Sequence, residues 1–208
     1  MAKQIEGVYE RVLECAKEEF LKNGYKDASL RVIAVNAETT TGSIYTRFGD
    51  KEGLFNALVE PVAQEMLQMF RNTQEAFHSL DKETQRNTMP QNSSNGMREL
   101  LDYIYAHFDT FRLLLDSSYG TKYHYFIHEM VCMEVEYTYH YMEVIGCESI
   151  RRGAVTEDFL HIIITAYFEG IFEVVRHDMQ KDEAEKYINM LRVYHMAGFE
   201  TIFSPLVS

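Results

Sequence analysis

Apolar positions recur at helical spacing in segment after segment of this chain. Residues 5–23 place Ile5, Val8, Val12, Ala16 and Phe20 on one stripe, with Glu10, Lys17 and Glu18 on the wet side and Gly24 positioned as a left-handed cap. Two short helices follow. The first buries Leu30, Ile33, Ala34 and Ala37, and the second runs from a Thr cap through Ile44 to Phe48, with Tyr45 beside the apolar edge. From Asp50 a longer helix carries Leu54, Leu58, Val62, Met66 and Phe70. Pro61 inside it removes an N–H and bends the helix, either as a plain structural bend or as the point through which the body reorients the head.

Residues 79–95, SLDKETQRNTMPQNSSN, interrupt this pattern and read as a surface loop. Residues 97–107 return to helix with Leu100, Leu101, Ile104 and Phe108 inward, followed by a short helical turn at 111–115 and a break at Ser117, Ser118, Tyr119 and Gly120. At about 100° per residue, 121–146 gathers Tyr123, Ile127, Met130, Val131, Thr138, Tyr141 and Ile145 on one stripe, with Glu134 in its middle. An acid there needs a cation, a hydrogen bond, a proton or a hollow to face. It is either a core acid paired with Arg112, Arg151 or a tyrosine hydroxyl, or a pocket acid that meets a ligand. The last two helices, 156–178 and 182–203, carry full stripes. Leu160, Ile163, Ile164, Tyr167, Ile171 and Val174 face inward in the first, and Phe168 and Phe172 widen it as if for a partner. In the second, Tyr187, Leu191, Tyr194 and Ile202 line one face while Ala197 and Gly198 allow close backbone approach. Phe168, Phe172, Tyr194, Ala197, Gly198 and Ile202 are the expected dimer interface, two helices from each chain.

The chemistry is concentrated in 30–54, LRVIAVNAETTTGSIYTRFGDKEGL, which has the layout of a DNA-reading helix-turn-helix. The polar face of its second helix carries no acid; Thr41, Ser43, Thr46 and Arg47 reach phosphates and base edges, and Gly42 leaves the backbone bare. Lys51 follows Asp50 at a helix start, where a cation opposes the macrodipole. It is either a tolerated surface lysine or half of a phosphate site.

These residues resemble the TetR/AcrR regulator family: Gly24-Tyr25, Ile33-Ala34, Thr40-x-Gly42-x-Ile44-Tyr45-x-x-Phe48 and Asp50-Lys51-Glu52-x-Leu54. The resemblance implies an all-α chain. A three-helix DNA-binding domain over residues 1–50 would precede a helical ligand-binding and dimerisation domain over 51–208. It further implies phosphate contacts from Ser29, Thr46, Arg47 and Lys51 and base or groove contacts from Thr41, Gly42 and Tyr45, with Thr40 and Ser43 completing the DNA-binding set. Two positions depart from the family pattern. Glu38 stands where the turn usually has Gly, so a side chain must accept a turn that costs about 1 kcal/mol if left-handed. Thr41 stands where a long basic residue is common, which bears on operator sequence.

Composition adjusts this picture. The formal charge of -12 at first argues against nucleic acid. Residues 1–50, however, hold seven Lys/Arg against eight Asp/Glu, so a near-neutral head precedes an acidic body. The three cysteines, Cys15, Cys132 and Cys147, lack paired spacing, and each reads as a small buried or half-buried hydrophobe. No membrane-length apolar run and no signal segment is evident, so a cytoplasmic protein is expected. With no Gly-x-Ser-x-Gly, no phosphate-cradling loop and no paired acids, neither an enzyme nor a cofactor is expected.

Eight of the 14 tyrosines lie between Tyr103 and Tyr141, among Phe and Met residues suited to flat or greasy ligands. They make either an aromatic-rich core or, as the ligand domain of the resembled family implies, a ligand site of Phe108, Phe111, Tyr123, Ile127, Met130, Glu134, Tyr141 and Tyr167. Taken with these residues, the resemblance implies a homodimeric repressor that releases pseudo-palindromic double-stranded operator DNA on binding a small lipophilic or aromatic effector, cationic ones included. The alternative is a metal- or redox-responsive regulator using His124, His128 and Cys132.

Overall fold

The structure, a computed structural model, describes residues 2–203, with side chains over 7–202. Ten α-helices and one 3₁₀ turn make up these described residues: α1 (Ala2–Asp27), α2 (Leu30–Asn36), α3 (Thr41–Phe48), α4 (Lys51–His78), α5 (Lys82–Ala106), α6 (Phe108–Asp116), the 3₁₀ turn (Lys122–Tyr125), α7 (Phe126–Ile145), α8 (Glu148–Arg151), α9 (Glu157–Arg176) and α10 (Lys181–Phe203). The all-α expectation holds, and among the described residues no helix is long and apolar enough to cross a membrane. Of the stripe expected on the first helix, Val12, Ala16 and Phe20 are buried, whereas the Ile5 side chain lies outside the described residues. Gly24 breaks α1 with φ 70 and ψ 165, a mirror-extended conformation in place of the expected left-handed cap.

The chain divides into two compact units drawn differently from the expected split at residue 50: Met1–Glu65 with His107–Phe126, and Met66–Ala106 with Ile127–Ser208. In the first, Phe20, Ile33, Ile44, Leu54, Phe55 and Phe111 are fully buried, and Phe20 meets Phe55 edge-on at 5.1 Å. Burying such side chains stabilises by roughly 2 kcal/mol each. The returning segment is tied in by the Tyr25 N–H donating to Ser117 O at 2.8 Å and by Lys17 beside Asp109 at 3.6 Å.

In the second unit Leu100, Ile104, Met130, Leu160, Ile164, Ile171, Phe172 and Ile188 form the core. Three expectations are corrected there. The expected loop 79–95 is mostly the first half of α5. Asp81 Oδ1 accepts from the Glu83 and Thr84 N–H groups at 3.0 and 3.1 Å, and buried Gln85 donates to Leu80 O at 2.8 Å, so the turn before the helix is closed by side chains. Second, Phe168 and Phe172 do not await a partner: they are 3% and 0% exposed within the chain, and Phe70 packs edge-on to Phe168 at 5.8 Å. The wide stripe of α9 reflects a helix with neighbours of its own chain on several sides. Third, α10 buries Ala184 and Ile188 and turns Tyr187 and Tyr194 outward, and its close approach occurs at Gly170 of α9, where a Cβ would lie 3.2 Å from Leu191. Gly198 has nothing within 4 Å of its missing Cβ.

Candidate nucleic-acid interface and effector cavity

The helix-turn-helix is built by side chains that cap its two short helices. Ser29 precedes α2, its hydroxyl accepting from Val32 N–H at 3.4 Å while its own N–H donates to Glu19 Oε1 at 2.9 Å. Thr40 caps α3 by accepting from Ser43 N–H at 3.1 Å. Between them Glu38 takes φ 52, so a side-chain residue does accept the left-handed turn. The Thr39 N–H closes the end of α2 by donating to Ala34 O at 2.9 Å.

Ile44 anchors α3 underneath with no exposure, which turns the opposite face to solvent. Gly42, Tyr45 and Thr46 are exposed there, and Thr41, Ser43 and Arg47 are half-buried. Tyr45, at 53% exposure, is a large aromatic group that the chain's own core does not use. The Thr46 hydroxyl donates to Gly42 O at 2.8 Å, so in this rotamer it meets a DNA group only as an acceptor. A Cβ on Gly42 would find nothing nearer than Thr40 Oγ1 at 3.7 Å. The fold itself therefore tolerates a side chain at 42, and the bare backbone is open to approach from outside.

Lys51 has a role within the chain that was not evident from the sequence. Its Nζ donates to Lys26 O at 2.9 Å and to Ala28 O at 3.2 Å, and it sits 4.9 Å from the centre of the Tyr25 ring. A cation unfavourable for its own helix thus satisfies carbonyls at the end of α1. Beside it, Asp50 Oδ1 accepts from Gly53 N–H at 2.7 Å. Gly53 is the position where the head needs glycine: a Cβ would lie 1.9 Å from Phe48 O.

A cavity of about 170 Å³ opens in the second unit between α4, α5, α7, α9 and α10. Met69, Phe70, Phe77, Leu100, Phe168 and Met196 make it greasy, and Gln74, Asn92, Ser93, Glu134, Thr138 and His195 add polar points. The polar residues of the mistaken loop thus line a hollow. Glu134 has neither Arg112 nor Arg151 among its hydrogen-bond partners: Gln74 Nε2 donates to it at 2.6 Å and Thr138 Oγ1 at 3.4 Å. Burial, opposed by the Thr138 bond, pushes its carboxyl up to about 7. Burial also pushes His195 down, and His78 down with help from nearby His140, so both imidazoles favour the neutral form. The Tyr167 hydroxyl is raised by burial and then by Glu134. His78 Nδ1 is buried and has no hydrogen-bond partner among the described residues.

Of the expected ligand residues, Glu134, Tyr141 and Tyr167 line this cavity. Phe108, Phe111 and Tyr123 belong to the first unit, and Ile127 and Met130 are not in the lining. The expected 121–146 helix starts only at Phe126, so Tyr123 leaves the stripe, and Met130 is spent on the core at 0% exposure. The lining from α5 was missed because the sequence places it in a loop. His124, His128 and Cys132 do not converge either. His124 lies in the 3₁₀ turn between Tyr119 and Tyr125, so the metal- or redox-responsive reading on that trio is not supported. Cys132 is exposed and Cys147 buried, so the expectation that every thiol is shielded fails at Cys132.

Residues 12–58 match the family model described as bacterial regulatory proteins, tetR family. Over these residues the chain is similar to the TetR family. The HTH-type transcriptional regulator UidR of Escherichia coli K12 is 29% identical over 96 residues, which is 46% of this chain and 49% of UidR, and the Shigella flexneri protein of the same name matches equally. The chain thus spans about half the length of the curated relatives it matches. Solved structures agree in fold over nearly the whole length. A TetR-like transcriptional regulator from Rhodococcus sp. RHA1 superimposes with a TM-score of 0.57 at 16% identity, over 92% of this chain and 96% of that one. The fatty acid degradation regulator FadR from Bacillus halodurans gives 0.56 at 14% identity, over 96% and 100%. The TetR family match takes in each expected DNA contact from Ser29 to Lys51 and stops before the cavity, so the TetR likeness speaks for the head and not for the cavity.

Proposed function

We propose that this TetR-family chain is a DNA-binding transcriptional regulator that acts as a homodimer and leaves its operator when a small molecule fills the cavity. The observation that carries the DNA reading is α3: a helix anchored by Ile44, free of acids on its outer face, presenting exposed Tyr45 and a bare Gly42 within the family match. Ser29, Thr40, Thr41, Ser43, Thr46, Arg47 and Lys51 surround that face as the phosphate and groove contacts. Lys51, already bonded to two carbonyls, presents its charge from a fixed position.

The dimer reading rests on α9 and α10, where Ile162, Met190, Val193 and Tyr194 are 66%, 69%, 49% and 74% exposed. An apolar surface on two adjacent helices suits an isologous four-helix contact, with Ala197, Gly198 and Ile202 at its C-terminal end. The effector reading rests on the cavity: a lipophilic or aromatic body against Phe70, Phe77 and Phe168, and a donor or cationic group toward Glu134. Coupling would run along α4, which contributes residues to both units and contains Pro61. It must be reciprocal, so operator DNA weakens effector binding by the same factor.

The test is selection of sites from random duplex DNA by the wild type and by Tyr45→Ala. Enrichment of a two-fold symmetric site that Tyr45→Ala fails to enrich supports the reading. A wild type that enriches no site overturns it.

A further inference from the structure

Outside the head and the cavity, one cluster of side chains has the composition of a metal site. His128 and Cys132 stand one turn apart on α7, and His161 reaches them from α9. One ligand atom from each of the three lies within 4.8 Å of the others. Cys132 Sγ is 3.5 Å from His128 Nε2, and the His128 and His161 rings are 5.4 Å apart. A tetrahedral zinc with Zn–S near 2.3 Å and Zn–N near 2.0 Å needs sulfur and nitrogen about 3.5 Å apart, so the first pair already has the separation and the third ligand needs only a side-chain adjustment. His128 and Cys132 are exposed and His161 half-buried, which leaves a path for the ion to enter.

The surroundings carry the matching charge. The adjoining cleft is lined by Cys132 and His161 together with Glu136, Glu143, Glu157 and Asp158. Glu157 and Asp158 precede His161 by about one helical turn, where a carboxylate can take the fourth position or hydrogen-bond a water that does. The sequence named His128 and Cys132 only in the alternative set with His124, because the third donor here, His161, comes from a helix far along the chain.

We propose that His128, Cys132 and His161 bind one zinc ion, with the fourth position open to water or a neighbouring carboxylate. Cys132 gives up its thiol proton to solvent and coordinates as the thiolate; both imidazoles bind through neutral nitrogens. The ion clamps α7 to α9. This inference does not depend on the DNA or effector reading.

The test uses the full chain, reduced and stripped with chelator, titrated with Co²⁺ and then displaced by Zn²⁺. The wild type is expected to take up one equivalent with a thiolate-to-cobalt charge-transfer band. Cys132→Ser should abolish the band, and His161→Ala should weaken binding about tenfold or more, while His124→Ala leaves both unchanged. Circular dichroism of each variant confirms that the helices persist, as their positions on the surface lead one to expect. A wild type without a thiolate band, a band that survives Cys132→Ser, or affinity indifferent to His161→Ala overturns the site.

Discussion

Replacing Glu134 by Gln separates a cavity acid from a charge-paired core acid. Its carboxyl titrates near 7 in the folded chain against 4.5 for an ordinary glutamate, because burial outweighs the Thr138 hydrogen bond. A raised acid binds its proton more tightly when folded. Its contribution is therefore complete below about pH 4.5 and is lost as the pH rises through about 7. At about 1.4 kcal/mol per pH unit, the interval from 4.5 to 7 corresponds to about 3 kcal/mol at alkaline pH, as an upper bound. Water entering the cavity reduces this to about 1–2 kcal/mol. The other titratable groups facing the cavity are Tyr137 and Tyr141 on α7, Tyr167 on α9, His78 on α4, His195 on α10 and exposed Glu99 on α5. All of them remain in Glu134→Gln, so their effects cancel in the difference. Urea unfolding of both proteins at one concentration, between about pH 5 and about pH 8.5, should give near-equal stabilities at the acid end. At the alkaline end the variant should be ahead by about 1–2 kcal/mol. A variant less stable than wild type at alkaline pH refutes the reasoning, because it would mean that the carboxylate is held by a cation.

Six further variants have expected outcomes. Gly53→Ala should lower the melting temperature sharply, since a Cβ at 1.9 Å from Phe48 O forces α3 and α4 apart; Gly42→Ala, with 3.7 Å to spare, should leave melting nearly unchanged and weaken DNA binding in a mobility-shift assay. Lys51→Ala should destabilise the chain by about 1–2 kcal/mol in denaturant even without DNA, through the loss of two hydrogen bonds and the Tyr25 contact. Glu38→Gly should stabilise by roughly 0.5–1 kcal/mol by removing a side chain from φ 52, as read by the denaturation midpoint. Phe172→Ala should cost about 3–5 kcal/mol as a core truncation, whereas Ile162→Asp should leave the protomer folded and reduce the mass in light scattering from dimer to monomer.

What the sequence by itself determined is local. The start of α3 was legible because a threonine, Thr40, caps the helix whose first turn it precedes. The strained turn at Glu38 was legible too, since a left-handed position within a known spacing needs no distant partner. Glu134 was marked as costly by its apolar neighbours alone, and it does face a hollow. The partners were not legible. That Lys51 closes α1, that α5 is helical and polar because Asn92 and Ser93 line a cavity, and that His161 stands beside Cys132 all depend on contacts between residues far apart in the chain. The same limit explains Phe168 and Phe172. Periodicity tells how wide an apolar stripe is, but whether the chain's own helices or a second copy cover it is decided only when the helices pack.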